Sequence, residues 1–209
     1  MTRLARSMLV AVLGLVVLTG CGGEEAPDPE SEASPSATDA SRPAPEEPTV
    51  TDTDFGAPAD GAAIAGTGHA YRLPEGWGDI SETALALDVP VDSAAAEEKP
   101  TGGFQDNVTV LVQDVPAGTT LDDLEAAVPG QLLDLVPELE QHPRVVLEGH
   151  PALHHSGMAT QDGTNFFLDE YVVLADTTVT TITFSFSDWL APEKRDAVAN
   201  GVLASWQWK

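Results

Sequence analysis

The chain has 209 residues, 34 acidic against 9 basic side chains, a formal charge of -25 and one cysteine. That composition excludes a disulfide framework within the chain and a multi-cysteine zinc site. It also excludes a large nucleic-acid footprint, which needs a clustered lysine and arginine surface that this sequence lacks.

Met1 to Ser7 carries Arg3 and Arg6 and no acid, and an apolar run from Met8 to Leu18, broken only by Gly14, follows it. A basic head before a short apolar run reads as a secretory signal. The run is about a dozen residues where a membrane span needs roughly 20, so a transmembrane helix is the weaker reading. Leu18-Thr19-Gly20-Cys21 resembles the lipobox of bacterial lipoproteins. Small residues at 19 and 20 let an extended backbone enter a peptidase site, and the Cys21 thiol is the nucleophile that accepts the lipid. The resemblance implies cleavage after Gly20, with diacylglycerol and palmitate-type acylation of Cys21. Two or three acyl chains would then hold the protein on the extracytoplasmic face of the cell membrane, each buried methylene contributing about 0.8 kcal/mol.

From Gly22 to Asp54 the chain is Glu, Asp, Ala, Ser, Thr and Pro, with Arg42 its one basic residue and Val50 its one large aliphatic. Such a segment cannot bury enough surface to offset the entropy of ordering and is expected to be a disordered, extended tether reaching up to ~100 Å. Phe55 to Gly66 continues in Gly and Ala. The expected organisation is therefore a signal peptide over 1–20, a lipidated tether over 21–66 and a folded domain over 67–209.

Within that domain, His69 to Leu73 reads as a strand closed by the turn triplet Pro74-Glu75-Gly76, with Trp77 following. Thr83 to Val89 and Asn107 to Val115 alternate with period two and are strand candidates. Pro90 to Gly103, small and acidic, reads as a long loop. Thr119 and Thr120 precede Leu121, Leu124, Ala127 and Val128 at helical spacing, with acids in the first turn, and Pro129 is expected to kink or split that helix. Arg144 to Leu147, Pro151 to Ala159, Asn165 to Ala175 and Thr178 to Ser187 read as strands, with Asp162-Gly163 as a tight turn. Pro192 opens a final helix carrying Val198, Val202 and Trp206. Neighbouring strands joined by short turns predict an antiparallel sheet carrying helices, an α+β domain, and not a doubly wound nucleotide-binding fold.

Tyr71-Arg72-Leu73-Pro74-Glu75-Gly76-Trp77, Asn107-Val108-Thr109-Val110, Glu148-Gly149-His150-Pro151-Ala152 and the closing run into Ser205-Trp206 resemble the actinobacterial LpqN/LpqT lipoproteins, of the PsbP/Mog-type superfamily. The resemblance implies an α/β/α sandwich, PsbP-like, with a curved antiparallel sheet between helices. It implies an exported protein that acts by binding or assisting another, and it transfers no catalytic residue or cofactor.

Candidate chemistry is sparse. His150 and His154, four apart on one strand, share a face and could join Asp169 or Glu170 in a metal site, while partly exposed strand histidines are the plainer reading. His69 and His142 lack a spacing partner and read as surface or turn residues. Ser156 adjoins His155, but adjacent strand residues point to opposite faces, so that pair cannot be nucleophile and base. The acids are scattered rather than set at alternate loop positions, which suits a solvated surface better than a calcium site. Asn107-Val108-Thr109 matches a glycosylation triplet, though it falls on a strand. Trp77, Trp189, Trp206 and Trp208 suit either the plugging of core and helix ends or the walls of an apolar cleft, with Trp77 and Trp189 as the candidate ligand-cleft residues. These features favour a non-catalytic, lipid-anchored binding or accessory module for another envelope or secreted protein. The alternative is a carrier or sensor of a small apolar or lipidic ligand, and a hydrolase stands third.

Overall fold

The computed structural model describes residues 52–86, 89, 91–100 and 103–209. Leu18, Thr19, Gly20, Cys21 and the expected tether as far as residue 51 lie outside the described residues. Among the described residues no helix is long and apolar enough to cross a membrane.

The elements are β1 (Ala63–Ala65), β2 (His69–Arg72), β3 (Trp77–Asp79), α1 (Ser81–Ala86), β4 (Ser93–Glu97), β5 (Asn107–Asp114) and α2 (Leu121–Leu132), then β6 (Glu140–Leu147), β7 (His150–Gln161), β8 (Thr164–Ala175), β9 (Thr178–Ser187), α3 (Pro192–Ala204) and β10 (Gln207–Trp208). Seven strands form one antiparallel sheet in the order β3-β4-β5-β9-β8-β7-β6, and β1-β2-β10 form a smaller sheet. The domain is α+β, as the alternating strand pattern and short turns predict.

Strands β6 to β9 run back and forth through two-residue turns, and the turn residues explain why. Glu148 and Gly149 both hold positive φ, at 49° and 82°, and Asp162 and Gly163 repeat this at 51° and 78°. Paired positive-φ residues give the turn whose twist matches that of the flanking strands, which Asp-Gly and its relatives adopt at least strain. Edge strand β6 slips its register between His142 and Val145, around Pro143, which cannot donate to a ladder and is tolerated at an edge.

The two faces of the large sheet bury different side chains. On one, Val108, Val110, Ile182, Phe184, Phe186 and Val173 pack under Ala199, Val202 and Leu203 of α3 and against Tyr71, Leu73 and Trp206. On the other, Leu153, Val172 and Val179 pack under Leu124, Val128 and Leu132 of α2. Helices on both faces give the α/β/α layering. Helix α2 starts with a reciprocal cap, Asp123 N–H to Thr120 Oγ1 at 3.2 Å and Thr120 N–H to Asp123 Oδ2 at 2.9 Å, a motif worth about 1 kcal/mol. It continues as a helix through Pro129 to Leu132, so Pro129 does not split it.

Three expectations need correction. Thr83 to Val89 is not a strand, because Ser81–Ala86 is helical, Asp79 Oδ1 accepts from Ser81 N–H at 2.8 Å, and Ala84 is buried with Val91 and Ala94. Glu, Ala and Leu are good helix formers, and so short an alternation does not outweigh them. The segment Pro90 to Gly103 is not simply a loop: it contains β4, an inner strand whose Ala94, Ala95 and Ala96 are almost wholly inaccessible. Alanine has low strand propensity, and it serves here because little room separates this strand from its covering layers. The folded body also begins before Thr67. Ala63–Ala65 pairs with β2, Phe55 packs on the core, and Thr53 exchanges hydrogen bonds with Val146 at the β6 edge.

Candidate functional site

Helix α3 lies along the sheet with a cleft on each side. The first cleft joins the ends of β3, β4, β5 and β9 to the start of α3 and has a volume of about 530 Å³. Trp77 and Trp189 both line it, together with Leu190 and Val198. Trp77 is brought there by the Pro74-Glu75-Gly76 turn, where Gly76 has φ 80° and Trp77 N–H donates to Pro74 O at 3.2 Å. Trp189 sits on the short link between β9 and α3 and is 54% exposed, an uncommon position for an indole with no partner in view. Two carboxyls and one ammonium complete the lining: Asp106, Glu97 and Lys194. Asp106 is only 8% exposed and spends Oδ1 on the Ser187 N–H, at 2.7 Å. Burial pushes its carboxyl above the ordinary range, against the pull of the Ser187 hydrogen bonds. Glu97 is raised as well, first by burial and then by the charge of Asp106. No ion pair among the described residues satisfies either acid.

The second cleft, about 410 Å³, lies between α3 and strands β6, β7 and β8. Register builds it: Glu140 pairs with Ser156, His142 with His154, Ser156 with Asp169 and His154 with Tyr171. Ser156 Oγ lies 2.7 Å from His142 Nε2, and His154 Nε2 lies 2.7 Å from Asp169 Oδ1. The rings of His142, His154 and Tyr171 stack at 4.2 and 4.3 Å between centroids. A serine beside an imidazole has a base within reach. The remaining geometry works against acyl transfer. His142 Nδ1 is 3.9 Å from Glu140, too long for a hydrogen bond, and Glu140, Asp169 and Asp196 crowd the cleft against Arg195, whose guanidinium covers the Phe167 ring at 3.6 Å. An oxyanion forming at Ser156 would meet like charge where catalysis needs stabilisation.

Sequence reasoning brings His154 and Asp169 together correctly and misplaces their companions. His150 packs edge-on against Trp208 at 5.3 Å, away from this cleft, and Glu170 faces the other side of the sheet, buried under the α2 layer. Among the described residues no three ligand-type side chains are disposed to hold a metal. His69 and His142 are not surface or turn residues: His69 is fully buried, its ring stacked 4.9 Å from Trp206, and His142 is a wall of the second cleft. His155 does point away from Ser156, as alternation requires, and the partner of Ser156 is His142 on the neighbouring strand. Its signal, a histidine two residues beyond the one opposite Ser156, becomes visible only once register is known. Asn107, first residue of the glycosylation triplet, is fully buried and donates to Gln105 O at 2.9 Å, so it offers no sugar acceptor on the folded surface.

No family model matches the chain. No curated protein matches it either. Among solved structures, it is similar to LpqN of Mycobacterium tuberculosis, described as involved in cell envelope biogenesis, at 15% identity over 70% of this chain and 84% of that one, with a TM-score of 0.54. A cyanobacterial PsbP, CyanoP of Synechocystis sp. PCC 6803, matches at 15% identity over 78% of this chain and 100% of that one, with a TM-score of 0.47. A Bacteroides thetaiotaomicron protein matches at 10% identity over 71% of this chain, TM-score 0.49, and the chain spans about half of its length, 48%. The LpqN likeness shows the fold, an antiparallel sheet between helices, that the sequence resemblance implies.

Proposed function

We propose that this chain is an exported lipoprotein, anchored through Cys21 on the extracytoplasmic face of the cell membrane, whose domain is a non-catalytic binding or accessory module for another envelope or secreted protein. The observation that carries the reading is Trp189, half exposed at a cleft that Trp77 also lines. Tryptophan is, with tyrosine and arginine, enriched among the residues that anchor protein interfaces. Burying about 100 Å² of indole under a partner contributes about 2.5 kcal/mol. The description of LpqN as involved in cell envelope biogenesis supports an envelope setting, and the lipobox supports the anchor.

A photo-crosslinking residue at Ala197, exposed on the same cleft, tests this in live cells beside a control at Leu133, 49% exposed on α2's side of the sheet. A discrete protein adduct is expected from position 197, lost when Trp189 is replaced by alanine. Identical adducts from both positions would contradict the assignment. The carrier reading is favoured by one observation, a cleft of small-ligand size at the Glu97 end of the 90–103 segment. It predicts a small molecule retained in native preparations and displaced by Trp77→Ala.

A further inference from the structure

The Trp77–Trp189 cleft combines features that define a ligand charge. Two indoles line it, and the faces of such rings carry the negative lobe of the quadrupole and attract cations within about 6 Å. Asp106, more than nine-tenths buried, lines it as well, together with Glu97. A carboxylate is withdrawn from water at a cost that a positive partner offsets, and none of the described residues forms an ion pair with Asp106 or Glu97. The neighbouring groove continues the same character, with Glu75, Glu97 and Glu98 around the other side of Trp77. Lys194 and Lys99 are the cations at these rims. The whole chain carries 34 acids against 9 basic residues, so the approach of a positive segment is favoured before contact.

We propose that this cleft receives a lysine or arginine side chain of the partner protein, its charged head held between the two indoles over Asp106 and Glu97 and its methylene stem lying on Leu190 and Val198. This rests on the reading of the domain as a binding module and adds the chemistry of what it binds. A cation of this shape uses every part of the lining: the stem buries apolar surface, the head meets the ring faces, and the carboxylates supply the opposite charge. Lys194 is then a competitor that an incoming side chain displaces.

The full chain contains four tryptophans, so 5-fluorotryptophan labelling gives one fluorine resonance for each indole. The probes are Nα-acetyl-lysine methylamide and its uncharged near-isostere Nα-acetyl-norleucine methylamide. The lysine amide is expected to shift Trp77 and Trp189 saturably and leave Trp206 and Trp208 in place, while the norleucine amide is at least threefold weaker. Asp106→Asn keeps an acceptor for the Ser187 N–H and is expected to weaken the lysine amide threefold to tenfold, and Lys194→Met to strengthen it. Glu97→Gln, farther from the core, decides the matter if Asp106→Asn fails to fold. Equal shifts from both amides, or a lysine effect that survives both carboxamide variants, would overturn the inference. A crosslink from position 197 with no response to lysine would remove the cation site and leave the binding module standing. A lysine response without any crosslink would do the reverse.

Discussion

Trp206→Ala is expected to destabilise the domain by about 3–5 kcal/mol. Trp206 is 1% exposed, and its ring lies parallel to that of Tyr71 at 5.3 Å and to that of His69 at 4.9 Å, with the edge of Trp208 at 5.4 Å. This stack joins the end of α3 to β2, and through β2 it holds the small sheet on the large one. Alanine would leave a void lined by three rings, and the neighbours, fixed in the β2–β10 ladder, can collapse into it only in part. Domains of this size are stable by about 5–15 kcal/mol, so the loss is a large share of the whole. Trp206→Phe should cost much less, because it keeps a stacking ring and removes an indole N–H that has no hydrogen-bond partner among the described residues. Urea denaturation of the two variants checks this. A loss below 1 kcal/mol for alanine would mean that the stack does not hold the sheets together.

Glu170→Gln is expected to remove from the pH dependence of stability the component that one buried acid contributes. Glu170 sits on the α2 side of β8, 3% exposed, and accepts a hydrogen bond from Thr183 Oγ1 at 3.2 Å. Burial, the dominant cause, pushes its carboxyl from 4.5 up to about 7. Between those values the folded protein keeps a proton that the unfolded chain has released, so stability falls as pH rises through that window and is lower by a constant amount above it. The gap corresponds to about 3 kcal/mol. His155, its cross-strand neighbour, acts in the opposite sense. Burial lowers its imidazole from 6.5, so the unfolded chain takes up the proton first and stability falls as pH drops below 6.5. The two slopes oppose each other in the wild type. The difference between Glu170→Gln and wild type removes the histidine contribution: the variant should gain about 3 kcal/mol relative to wild type between pH 4.5 and 8. A pH-independent difference would show that Glu170 is ionised in the fold.

Strands β7 to β9 were legible because each is long and meets its neighbour at a turn whose residues tolerate positive φ, and of β6 only the part after Pro143 could be read. Ile182, Phe184 and Phe186 against Thr181, Thr183 and Ser185 leave little choice of face. The Ala-rich stretch from Ser81 to Glu97 was not legible, since alanine fits helix and strand alike and tertiary packing decides between them. Trp77 and Trp189 could be chosen as cleft residues for their size and polarity, yet only the folded sheet, with the ends of β3, β4, β5 and β9 meeting the start of α3, brings both to one cleft. The second cleft was hidden for another reason. Ser156, His142 and His154 meet through strand register, and that register depends on an irregularity at Pro143 that no local pattern announces.

The central claim is a tethered domain that binds a protein through its tryptophan cleft. Native mass spectrometry of the full chain, gently extracted from the membrane fraction after in-cell crosslinking and compared with Cys21→Ala, tests it most directly. The account predicts a chain cleaved before Cys21, carrying acyl chains, with a recurrent protein adduct that disappears in the Cys21 variant. A chain without lipid, or one whose only adduct is a small molecule, would contradict it.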